Sequence, residues 1–105
     1  MKTTELNKAL DTFKTFKDIF DTMNVNANFY NEVCDCFIIE TDKRVSDVLK
    51  YCESFLLALH TYTNETFTMF AQMIDDNTHE ITIISVRDIA RYYYPELENI
   101  KLCDE

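Results

Sequence analysis

The sequence predicts an α+β fold, with two amphipathic helices packed on a small antiparallel sheet and a short helix near the C-terminus. Three observations carry this expectation. Two stretches space their apolar residues as a helix does, and a third alternates on either side of an Asp-Asp-Asn turn. The chain of 105 residues is also 47% hydrophobic, enough for one core. An all-α bundle is the alternative, because both strand candidates also contain residues at helical spacing.

In the first stretch Leu6, Ala9, Phe13, Phe16, Phe20 and Met23 recur at alternating intervals of three and four. Leu10 and Ile19 widen that stripe, and lysines and aspartates fill the far side. A helix over 5–23 follows, with Thr4 as its N-cap. Asn24 to Asn28 reads as a turn, since asparagine suits turns. Val45, Val48, Cys52, Phe55, Leu59 and Tyr62 repeat the same spacing, with Leu49 and Leu56 beside them. Asp42 or Thr41 would cap this second helix, and Thr63-Asn64 would end it. Matching stripes favour side-by-side packing at about 20°. Each buried Leu or Phe contributes about 1.5–3 kcal/mol before entropy is subtracted.

Val33 to Ile39 favours a strand through Val, Phe and two Ile, although Tyr30, Cys34, Phe37 and Ile38 also fit a short helix. Residues 66–85 read as a hairpin. Thr66 to Met73 alternates, Glu80 to Ser85 carries Ile81, Ile83 and Ile84, and Ile74 to Thr78 is the turn. With no glycine available, asparagine would supply any positive φ there. A helix over 65–74 is the competitor. Ser85 followed by Asp88 forms a loose capping box for a helix from Val86 to about Tyr94, stopped by Pro95. The acidic tail from Glu96 contains Leu97, Ile100 and Leu102, a pattern for one more short docking helix. No repeat, linker or low-complexity tract divides the chain, so one domain over 1–105 is expected.

Function is bounded first by an absence. Average usage would give about seven glycines in a chain this long, and there are none. A Walker loop, a dinucleotide fingerprint, an EF-hand turn and a nucleophile elbow all need glycine backbone. The formal charge is −9, all of it from residues 26–105, where fifteen acids face six bases. Direct binding to nucleic acid or to an anionic membrane is therefore disfavoured, while a basic protein partner is favoured. The N-terminus shows no secretory pattern, and the longest apolar run, Phe55 to Leu59, is too short to span a bilayer. An intracellular, soluble protein is expected, in the cytoplasm or nucleus of a host cell.

Cys34, Cys36, Cys52 and Cys103 then read as reduced thiols. Cys34 and Cys36 are not a Cys-x-x-Cys redox pair, and zinc would need Cys52 with His60 or Cys103 as well. Asp75, Asn77 and His79 have calcium-loop spacing, but position 12 is Val86 where the bidentate Glu belongs. Cys52 and His60 lie about 12 Å apart along one helix, too far for a nucleophile–base pair. Asn64-Glu65-Thr66 matches a glycosylation sequon that an intracellular chain would not use. No cofactor, metal or catalytic residue is assigned, and the chain is expected not to be an enzyme.

Ser85 to Ala90 resembles the opening of the second segment of helix-turn-helix domains, but tyrosines, a proline and acids follow where a basic recognition helix should stand. Tyr92, Tyr93 and Tyr94 beside Arg87 and Arg91 form the candidate interaction patch, since Tyr and Arg carry much binding energy at interfaces. Asp75 and Asp76 are candidate acidic contacts. The expectation is a small acidic effector or inhibitor that binds a basic protein. Its composition resembles accessory proteins of AT-rich viruses or mobile elements. Alternatives are an assembly subunit, for example of a virion, that oligomerises through the heptad helices, and an inhibitor that mimics DNA.

Overall fold

The structure, a computed structural model, describes residues 1–32 and 34–93, the last four by backbone alone. The chain runs α1 (Thr3–Thr22), β1 (Asn26–Tyr30), β2 (Cys36–Thr41), α2 (Val45–Tyr62), β3 (Phe67–Asp75), β4 (Thr78–Ser85) and α3 (Val86–Tyr93). The strands form one sheet in the order β1-β2-β4-β3, and every neighbouring pair is antiparallel. The fold is α+β, not all-α. A helix followed by a hairpin occurs twice, and the second strand of each hairpin lies at the centre of the sheet. This repeat lives in topology only, since the two halves share no sequence pattern beyond the helical stripe.

The register assigns each strand residue to a face. Ala27, Ile39, Ile81 and Ala71 form one row across the sheet, and Phe29, Phe37, Ile83 and Met69 the next. These rows face α1 and α2. Phe37 lies 4.9 Å from Phe13, 5.3 Å from Phe29 and 5.1 Å from Phe55, ring centre to ring centre, so one aromatic cluster joins both helices to the sheet. Both helical stripes turn inward: Ala9, Phe13 and Phe20 from α1, and Val48, Cys52, Phe55 and Leu59 from α2, are all buried. Tyr62 is the exception, ending its stripe at 64% exposure. The opposite face carries Asn26, Glu40, Glu80 and Gln72 in one row and Tyr30, Cys36, Ile84 and Thr68 in another.

Several ends differ from the sequence expectation. At α1 the N-cap is Lys2, not Thr4, and it makes no side-chain cap bond. At α2 the N-cap is Arg44, because the Thr41 hydroxyl accepts the Lys43 N–H and holds the preceding turn. Thr63 ends α2 as expected, with its N–H bonded to the Leu59 carbonyl. Residues 24–28 are not one turn. Asn24 takes φ 58°, while Asn24 N–H bonds to Asp21 O and Val25 N–H to Phe20 O. That is a Schellman stop with asparagine in the usual glycine position. It is so short that β1 begins at Asn26.

The hairpin turns at Asp76 and Asn77 without a positive φ, so no asparagine has to supply one there. Asp75 Oδ1 accepts the Asn77 N–H at 2.8 Å, and a bulge between Met73 and Asp75 accompanies the turn. The N-cap half of the predicted capping box is present, with Asp88 N–H donating to Ser85 Oγ at 3.1 Å. Pro95, the predicted tail helix and Cys103 lie outside the described residues.

Candidate protein-binding surface

Asp75 and Asp76 sit exposed at the hairpin tip. The Asn77 N–H, together with Thr78, holds the Asp75 carboxyl below its ordinary range. Asp75 is thus committed to the turn, and Asp76 is left facing solvent. Arg87 lies half-buried in the first turn of α3. Arg91, Tyr92 and Tyr93 occupy the end of that helix, their side chains lying outside the described residues together with Tyr94. The eight residues of β4 separate the tip from α3, which at about 3.4 Å per residue is about 27 Å. The two sets of candidate residues therefore belong to opposite ends of the sheet.

The hairpin end has a distinct chemistry. Residues 63–85 contain four acids, Glu65, Asp75, Asp76 and Glu80, and no lysine or arginine. Glu80 is paired in register with Glu40 and accepts a bond from Gln72 at 3.2 Å. Two like charges on directly opposite strand positions repel. Beside these acids Met73 is 61% exposed and Ile74 50% exposed. Sequence reading recognised the hairpin and its acidic tip but not that β3 is a sheet border. No local signal marked it, because the uncharged run from Phe67 to Ile74 suits a central strand equally well.

Elsewhere the positive charge is largely matched nearby. Lys8, Lys14 and Lys17 on α1 pair with Glu5, Asp11 and Asp21, and Arg44 pairs with Asp47. On the solvent side of the helix pair runs a groove of about 710 Å³, floored by Phe16 and Ala58 and rimmed by Lys8, Asp11, Thr12 and Tyr62. Leu57, 67% exposed, stands one residue from Ala58.

The cysteines are divided by the sheet. Cys52 lies in the core under α2, where burial pushes its thiol up to about 12. Cys36 is buried on the other face, and burial raises its thiol too, helped by Asp35, Glu80 and Asp88. Among the described residues no group of three His, Cys, Asp or Glu side chains could hold a metal ion. His60 serves the backbone, its Nε2 accepting the Phe67 N–H at 2.9 Å. At the other end Asp88 is buried 3.6 Å from the Met1 amino group, and burial raises the carboxyl of neighbouring Asp35. No helix among the described residues is long and apolar enough to cross a membrane.

Comparison with protein-family models, curated proteins and solved structures finds no match to this chain.

Proposed function

We propose that this protein is a non-enzymatic binding module, an effector or inhibitor whose target is a basic protein. The observation that carries this reading is the hairpin end, where Asp75, Asp76 and Glu80, with Glu40 opposite Glu80, lie beside exposed Met73 and Ile74. Exposed apolar area flanked by acids is suited to a partner of the opposite sign. The local pairing of lysines with acids on α1 supports it too, because the unmatched negative charge then falls on the other elements. Such a field speeds encounter with a cationic partner and slows encounter with an anionic one. The compositional likeness to accessory proteins of viruses and mobile elements fits a role of this kind.

Cross-linking in the native host, followed by mass spectrometry, tests the reading. One basic protein should be recovered in stoichiometric amount, and the charge reversal Asp76→Lys should weaken its capture. Recovery of self-linked chains alone would count against it. The second reading, an assembly subunit, draws on the groove beside Leu57 and Tyr62. It requires light scattering to show a concentration-dependent oligomer that Leu57→Glu disperses.

A further inference from the structure

Strand β3 borders the sheet, and its free side can be traced residue by residue. The Phe67 N–H donates to His60 Nε2 at 2.9 Å, and the Phe67 carbonyl lies 3.1 Å from the same nitrogen. Both main-chain groups of Phe67 therefore point away from β4. The preceding residue points the other way, since the Thr66 carbonyl accepts the Val86 N–H at 2.7 Å. Main-chain direction alternates along an antiparallel strand. Thr68, Phe70 and Gln72 thus bond to β4, while Met69, Ala71 and Met73 present N–H and C=O outward. Among the described residues nothing takes these groups.

The other border is built differently. β1 has only five residues, and Lys17 Nζ donates to the Ala27 carbonyl at 2.9 Å. A lysine on an edge blocks strand addition, because a new strand would have to displace or bury the ammonium. On β3 His60 blocks the first outward residue and no other. From Phe67 to Ile74 there is neither a charge nor a proline. An edge of that kind is a template for one more strand.

Charge decides what the strand should be. A second copy would bring another −9 and another acidic hairpin against the first. A cationic segment meets Asp76 at the tip, and Glu80 one strand in from Gln72 on the face away from the helices. On the helix side the same segment meets Met69, Ala71 and Met73. We infer that β3 accepts an extended segment of a basic protein as a fifth strand, giving the order β1-β2-β4-β3-partner. Its alternate residues are cationic toward Glu80 and apolar toward Met73. This rests on the basic-partner reading above and adds to it a place and a mode of binding.

The test uses the full chain and a nine-residue peptide of alternating lysine and valine. In amide hydrogen exchange followed by NMR, the peptide should slow Met69, Ala71 and Met73 by about tenfold or more. The same peptide N-methylated at every second residue keeps its charge, loses its donors, and should give no protection. Ala71→Pro removes an outward N–H that makes no bond to β4, a position where an edge strand tolerates proline. It should keep the circular dichroism of the parent and lose the peptide effect. If that variant does not fold, the methylated peptide decides. Equal binding of both peptides would overturn the inference, as would protection confined to the α1–α2 groove. So would a native dimer that Ala71→Pro converts to a monomer, since a second copy would then own the edge. A basic protein cross-linked only away from β3 would sink this mode and leave the function standing. Protection by the peptide with no basic protein recovered from the host would do the reverse.

Discussion

Glu5 shows how one side chain can tie distant parts of the chain together. It lies buried in the first turn of α1, and its carboxylate accepts the Asn64 N–H in the loop between α2 and β3. That bond, with help from Lys8, lowers the Glu5 carboxyl below its ordinary 4.5. A lowered folded value means the unfolded chain binds the proton first. The contribution is therefore complete above about pH 4.5 and is lost as pH falls through the lower folded value. Asp75 acts in the same direction, and Asp35, raised by burial, acts in the opposite one. Glu5→Gln should accordingly lower Tm at pH 7 and have a smaller effect at pH 3; an equal loss at both would deny the ionised carboxylate its role. Cys52 gives a second prediction. With its thiol pushed up to about 12, the reactive thiolate is almost absent at pH 8, whereas Cys34 is only half-buried. Iodoacetamide followed by peptide mapping should label Cys34 in the native protein, and Cys52 only in denaturant. The place of Cys52 was legible from the stripe of the second helix, whereas the Glu5 bond was not, because it joins residues 59 apart that only the fold brings together.

Elements were legible where their signal is local. Both helices and the hairpin announce themselves through spacing within a dozen residues, and each formed close to its expected bounds. β1 was obscured because Asn24, Asn26 and Asn28 resemble a turn. Only Asn24 turns; Asn26 and Asn28 belong to a border strand and lie on the face away from the helices. Helix caps were misplaced for a related reason. Thr41 had a hydroxyl fit to cap α2 but spent it on the Lys43 N–H one turn earlier. Packing between elements predicts the largest single loss. Phe37 touches rings from α1, β1 and α2, so Phe37→Ala should cost about 3–5 kcal/mol. That is a large share of the about 5–15 kcal/mol that holds a domain together. Urea unfolding should show a lower midpoint with an unchanged slope, and a loss under about 1 kcal/mol would mean the aromatic cluster is not the centre of the core.

For the whole molecule, charge and topology matter most. At −9 the native state repels itself, and its described ion pairs on α1 and before α2 are mostly surface pairs, worth about 0–1 kcal/mol each. Salt shortens the Debye length from about 30 Å at 0.01 M to about 8 Å at 0.15 M. Relief of the long-range repulsion should outweigh the loss of such weak pairs, so Tm should rise across that range. A fall would mean that the pairs stabilise more than the net charge destabilises. The choice of α+β over an all-α bundle needed the sheet, but the two inward stripes, the hairpin, the negative field and the lack of glycine were already legible in the amino-acid chain. These follow from composition and short-range periodicity, which act on neighbours along the chain. Tertiary structure alone pairs β2 with β4 across α2 and β3, and so leaves β3 at the border with Met69, Ala71 and Met73 unpartnered among the described residues. Strand order is set by contacts between segments some forty residues apart, and no local pattern in the chain encodes which partner a strand will choose.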